Sequence, residues 1–302
     1  MNPHAPATPP TPASPPLTAP TSPAPTSLIT ALRRAMRYEI RRLRGLTSTR
    51  IVLGLLCAVS ILNGILLRTD LPTAPDGAPL AIGPADLADW LQHSPTAQQV
   101  PLSALLLVFV FGTGPVAGEL RYGTARTTWL TVGSRGIAYT AKLMVGVAAV
   151  IGAAVLSLML QSAVGATTLA LTDAPQPAWS EAGGPVLRYL LVMGCWPVLG
   201  AGLAALLCSR VATVLALTLW PILAERLTGL LLGKLPGLGG ITEVLPFAAA
   251  RAAMRAERGT DPFTQALVGS SLPAGAATAL FVLFTLAVGA LGWFAYARRS
   301  TA

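Results

Sequence analysis

The chain has 302 residues, 53% of them hydrophobic and 11% charged, with a net charge of +9, whereas an average soluble domain is roughly 25% charged. Its apolar residues gather into runs too long for ordinary core helices, which excludes a pair of soluble domains and points to one polytopic membrane domain. The basic residues lie beside these runs without interleaved aromatics, so the positive-inside rule accounts for them and no nucleic-acid partner is expected.

Residues 1–26 hold ten prolines and no Lys or Arg. They lack the basic start and apolar core of a secretory signal. Proline at this density predicts a disordered, semi-stiff cytoplasmic tail. In "SLITALRRAMRYEIRRLRGL", residues 27–46, Leu32, Met36, Ile40 and Leu43 recur at helical spacing, with Arg33, Arg34, Arg37, Arg41 and Arg44 mostly opposite. That pattern predicts an amphipathic interfacial helix, capped by Thr26 or Ser27 and ended by Gly45.

At ~20 mostly apolar residues per crossing, six spans are predicted. They cover 51–67, 102–118, 138–160, 189–207, 211–231 and 276–296. The fifth carries Pro221, Glu225 and Arg226, which predicts a kinked or broken helix. Between it and the sixth, "LTGLLLGKLPGLGG" and "EVLPFAAARAAM" are too short to span and suit re-entrant or interfacial helices. The expected fold is an all-α polytopic membrane protein, a six-span domain over 27–302 with an N-terminal amphipathic interfacial helix.

An even span count places both termini on one side. That side collects 14 of the 21 basic residues: seven arginines from Arg33 to Arg50, then Arg121, Arg126, Arg135, Lys142, Arg210, Arg298 and Arg299. Both termini are therefore expected in the cytoplasm. Ten of the 12 acids fall on the opposite side.

Several chemistries lack their residues. The two histidines are His4 in the tail and His93 in an outer loop, and no HExxH or GxSxG occurs. Cys57, Cys195 and Cys208 stand at unrelated spacings and give no disulfide framework or zinc site. "GLLLGKL" at Gly229–Leu235 has three residues between its glycines, where a phosphate-binding loop needs four, and Leu where Ser or Thr must meet magnesium. If ATP drives this protein, another chain binds it.

The segment "GELRYGTARTTWLTVGSRGIAYTAK", residues 118–142, joins the second and third spans on the cytoplasmic side. Glu119 is the first ionised group leaving the second span. Gly123 weakens the helix, Thr124 can cap a new one over "ARTTWLTV", Gly133 can end it, and Ser134 can cap the third span. Tyr122, Ala125 and Trp129 would form one partly apolar stripe, and Lys142 would snorkel from inside the third span. A rigid helix slung between two spans can transmit a push from a soluble partner. The same spacing also fits an ordinary basic hairpin.

Glu119, Gly123-Thr124, Arg126, Arg135 and Lys142 resemble the "E…GT.R…R…K" signature of the type-2 ABC transporter permease family, the membrane subunits of ATP-driven exporters. The likeness extends over residues 27–302, from amphipathic helix through six spans to the long outer segment before the last. The Pro-rich tail, and Gly136 without a nearby proline, depart from the family pattern. The resemblance implies a permease with no nucleotide site of its own, catalytic in no bond-breaking sense. Its partners would be a separate ATPase subunit carrying ATP and Mg, a second permease subunit and membrane lipid, in the plasma (inner) membrane. The helix after Gly123 looks like the coupling helix that docks in the ATPase. Glu119 and Arg126 would then be polar contacts or struts, and Tyr122 and Trp129 docking side chains. The cargo is unassigned, and apolar span faces suit a lipophilic or amphipathic one. An ion-coupled carrier and a membrane scaffold with a Pro-rich recruiting arm are the competing readings.

Overall fold

The structure is a computed structural model that describes residues 27–67, 71, 79–80, 108–232, 243–254 and 270–299. The Pro-rich tail, most of the loop after the first span, residues 102–107 of the expected second span and most of "LTGLLLGKLPGLGG" lie outside these residues. Among the described residues the regular elements are helices.

The first, α1 (Leu28–Gly45), starts where the Ser27 hydroxyl accepts the Thr30 N–H at 3.4 Å. It ends at an extended Leu46. Its arginines Arg33, Arg34, Arg37, Arg41 and Arg44 are exposed, while Ala35 and Leu43 are buried and Met36 and Ile40 partly so. The predicted amphipathic face is present, with Glu39 buried in its middle.

Among the described residues four helices are long and apolar enough to cross a membrane: α2 (Thr47–Leu66), α5 (Arg135–Leu171), α6 (Gly183–Leu207) and α10 (Ala274–Arg298). They correspond to the first, third, fourth and sixth predicted spans. The second is described from a π-helical turn, Val108–Thr113, that runs into α3 (Gly114–Tyr122). In place of the fifth, α7 (Arg210–Leu219) passes through a π-helical turn, Trp220–Ala224, into α8 (Glu225–Leu232). Of the expected kinked or broken helix the break is absent, and at Pro221 the helix widens locally. Proline has no N–H to donate and its ring crowds the preceding turn, and a wider turn accommodates both without interrupting the helix.

The helix of the third predicted span, α5, is longer than that span. At 37 residues it measures ~55 Å by the helical rise, against ~30 Å of hydrocarbon. Hydroxyls in its far portion return to its own backbone, Thr167 to the Ala163 carbonyl at 2.8 Å and Thr168 to that of Val164 at 2.9 Å. No proline interrupts residues 161–171, and the helix continues through them past the expected end.

Burial identifies α6 as the central helix. Two-thirds of its apolar window (67%) is enclosed, against 28%, 33% and 22% for α2, α5 and α10. Where α6 meets α10, a Cβ added to Gly292 would lie 2.5 Å from the Gly202 Cα and 2.7 Å from the Tyr139 hydroxyl. Glycine lets these backbones approach closely, as small residues do between membrane helices. Behind them, α9 (Pro246–Met254) is buried from Phe247 to Met254. The Phe247 ring lies 5.7 Å from Trp196 of α6 and 6.1 Å from Phe281 of α10. The short "EVLPFAAARAAM" segment therefore forms an internal helix and not a surface one.

Candidate functional site

The loop after α3 contains a separate short helix, α4 (Ala125–Val132). Gly123 ends α3 at φ +69° and Gly133 ends α4 at φ +79°, left-handed conformations that favour glycine. The Gly133 N–H donates to the Trp129 carbonyl at 2.8 Å. Ser134 then caps α5, its hydroxyl accepting from Ile137 N–H at 3.5 Å. Thr124 occupies the position before α4, but at helical dihedrals and without a side-chain cap. A capping hydroxyl needs an extended backbone to reach the first turn, so Gly123 makes the break and Thr124 does not cap it. The same reversal separates the expected stripe. Tyr122 is 76% exposed, whereas Ala125 and Trp129 turn inward.

Beneath α4 lies a buried cluster of charge. Lys142 Nζ donates to Glu119 Oε1 at 2.7 Å and also to Glu39 Oε1. Arg42 donates to the same Glu119 oxygen at 2.5 Å and stands 3.7 Å from Glu39 Oε2. The Tyr296 hydroxyl donates to Glu119 Oε2 at 3.4 Å. Glu39, Glu119 and Lys142 are each at most 3% exposed. Lys142 thus does not snorkel, because two carboxylates meet its ammonium inside the protein. Two acids facing two bases balance formally, and removing one member would leave an uncompensated buried charge.

Aromatic rings close the cluster on the α4 side. Trp129 stands edge-on to Tyr296 with centroids 5.6 Å apart, and Tyr139 lies 5.3 Å from Tyr296. The Arg135 guanidinium sits 4.5 Å from the Trp129 ring and donates to the Arg299 carbonyl. The structure therefore brings Glu119, Trp129, Arg135 and Lys142 together, and leaves Tyr122, Gly123, Thr124 and Arg126 on the exposed side. A shallow hollow of about 280 Å³, lined by Arg126, Trp129, Leu130, Gly133, Ser134 and Arg135, opens on that side.

Sequence reasoning missed Glu39, Arg42 and Tyr296. A signal for two of the members was present: Glu39 and Glu119 are the two acids left on the basic side of the expected topology. Nothing in the spacing indicated that they meet.

A second buried pair joins α8 to α9. Glu225 Oε1 accepts the Phe247 N–H at 2.9 Å, which satisfies an otherwise unpaired donor at the start of α9. Arg251 lies 3.7 Å from Glu225 Oε2 and reaches the Pro221 carbonyl at 3.5 Å.

Among the described residues no three His, Cys, Asp or Glu side chains converge that could hold a metal ion. What the first cluster can do is mechanical. It fastens α1, α3, α5 and α10 to one another directly beneath an exposed helix. No protein-family model matches this chain, and no curated protein matches it.

Proposed function

We propose that this chain is the membrane subunit of a type-2 ABC exporter, acting with a second permease subunit and two separate ATPase subunits that bind ATP and Mg. On this reading the helical stretch ending at Tyr122 and the α7–α8 stretch supply the second and fifth of six spans. Both termini and α4 face the cytoplasm, at the plasma membrane.

The observation that carries the proposal is the construction of α4. It is bounded by Gly123 and Gly133, exposes Tyr122, Arg126 and Leu130 around it, and rests on the cluster through Trp129. ATP binding closes the ATPase pair and displaces α4. Two residues separate α4 from α3 at one end and from the long α5 at the other, and its inner face contacts Tyr296 of α10. The displacement therefore reaches α3, α5 and α10 together, and α1 follows through the Glu39–Lys142 and Arg42–Glu119 contacts. Coupling of this kind requires a contiguous set of packed elements whose arrangement the partner biases. The cargo is lipophilic or amphipathic, in keeping with the apolar helix faces.

Copurification tests the reading. The full chain should retain an ATPase subunit, and Tyr122→Ala with Arg126→Ala should release it while the permease remains folded. If no ATPase associates, and the double variant transports at the original rate, the proposal fails. An ion-coupled carrier is the second reading, favoured by the buried Glu225 and Arg251, since ionisable groups among membrane helices often mark ion pathways. Transport that survives ATP depletion and stops with an uncoupler would decide for it.

A further inference from the structure

Residues 1–26 and the surface beside which they end have matching chemistry. Pro3, Pro6, Pro9, Pro12 and Pro15 recur at every third position, the repeat of a polyproline II helix, which has three residues per turn. In that form the run presents one continuous face of proline rings. Residues 1–26 also contain no Asp, Glu, Lys or Arg. Proline donates no hydrogen bond and a polyproline II helix makes none internally, so its rings seek apolar walls and its carbonyls seek donors.

The chain passes from this segment into α1 at Ser27, whose φ of −56° and ψ of 143° are near polyproline II values. Leu28, the next residue, is already a wall of an open groove of about 370 Å³ between the first turns of α1 and the α5–α10 pair, within the size range of ligand sites, roughly 300–1,000 Å³. Across it, Leu28, Ile29 and Leu32 face Ile137 and Thr140 of α5 and Trp293 of α10. Among the described residues no charged side chain lines it, and the helical spacing that sets Leu28, Ile29 and Leu32 there turns Arg33, Arg34 and Arg37 to the other side of α1. An uncharged groove thus opens where an uncharged segment joins the fold. Leu28 and Ile29 are 76% and 71% exposed, which leaves an apolar surface for a further group to cover.

The groove holds an aromatic ring and a donor. Trp293 is 37% exposed and its ring is seated, because a Cβ on Gly136 would lie 2.9 Å from the Trp293 Cζ2. Glycine there lets the indole rest on the α5 backbone. The Ser134 hydroxyl, also in the lining, accepts the Ile137 N–H at 3.5 Å and keeps its own proton for a carbonyl. Aromatic-lined grooves take up proline-rich segments because these are extended before they dock and lose little entropy in docking.

We propose that this groove binds the chain's own proline-rich arm, with a turn of residues 3–15 seated as a polyproline II helix against Leu28, Ile137 and Trp293. The repeat lets the run slide by three residues and present the same face. Residues 16–27 allow the return, since they span up to about 37 Å when extended at ~3.1 Å per residue. A tether of this kind holds the arm near the groove at an effective concentration on the order of millimolar, so a weak contact is enough. Ser134 lines both this groove and the hollow beside α4, so a seated arm borders α4. The match of arm and groove holds whatever α4 docks.

The test places photoreactive benzoylphenylalanine at Thr11 of the full chain in phosphatidylcholine bilayer discs, and adducts are mapped by mass spectrometry after illumination. Adducts should form within one chain, on the α5 and α10 walls around Ile137 and Trp293. Replacing Pro3, Pro6, Pro9, Pro12 and Pro15 by Ala should abolish them. Replacing the other five prolines, Pro10, Pro16, Pro20, Pro23 and Pro25, removes as many rings but leaves the repeat, and should keep them. Leu28→Ser with Ile29→Ser should also abolish them, and both side chains are exposed enough for that variant to fold. Equal yields from the two proline sets would mean proximity through the tether alone and overturn the proposal. Adducts on lipid only, or joining two chains, would overturn it as well, by assigning the groove to boundary lipid or to a second copy.

Discussion

The two buried charge clusters use similar residues for different purposes. Around Lys142, four helices contribute, and Glu119 oxygens take contacts from Lys142, Arg42 and Tyr296. Around Glu225, the partners lie within 26 residues of it and include a backbone N–H at the start of α9 and the Arg251 side chain. The first arrangement adds charge contacts, and a tyrosine hydroxyl, between helices that are distant in the chain. The second seats one short helix, with a carboxylate serving as its cap. A buried ion pair is weak grounds for net stability, because desolvation offsets much of the attraction, but the loss of one partner is costly in either case.

That difference can be broken experimentally, beginning with the largest effect. Lys142→Met leaves Glu39 and Glu119 enclosed with Arg42 as the remaining cation, and should destabilise the detergent-solubilised protein by about 3–5 kcal/mol. Adding Glu39→Gln should recover part of the loss, and the thermal midpoints of the two single variants and the double variant would give the coupling. If the double variant is no more stable than Lys142→Met alone, Glu39 and Lys142 are not energetically linked.

Glu225→Gln should cost less, about 2–3 kcal/mol, because the amide oxygen still accepts from Phe247 and Arg251 keeps the Pro221 carbonyl, while the buried guanidinium loses its carboxylate. A loss as large as that of Lys142→Met would show that the second cluster also depends on charge. The turns around α4 come next. Gly123→Ala and Gly133→Ala place a Cβ where no atom lies within 4 Å, so strain in the left-handed backbone should be the whole effect, about 1–2 kcal/mol. Tyr122→Ala should change stability by no more than about 0.5 kcal/mol, since its ring is 76% exposed. Its effect should appear in retention of a soluble partner, measured by copurification.

Much of the α4 region was legible in the residues. Gly133 and Ser134 form the stop and start expected of them, and "ARTTWLTV" is the helix expected between the turns, because caps and left-handed glycines act over three or four residues. The predicted roles of Thr124 and Tyr122 depended on the direction in which the chain leaves α3. Gly123 sets that direction, with a backbone reversal that periodicity does not register. Lys142 was read as a snorkelling residue because its neighbours in sequence are apolar, whereas its partners lie elsewhere.

The sequence by itself determined the helical content, four of the six expected spans as long apolar helices, the arginine face of α1 and the turns around α4, all consequences of local composition, spacing and backbone preference. Only the tertiary structure decided that Glu39 meets Lys142 across 103 residues and Arg42 meets Glu119 across 77, that Trp129 faces inward, and that Pro221 widens a helix without breaking it. Buried charges need their partners within a few ångströms in space, and spacing along the chain does not reveal which distant helix brings them.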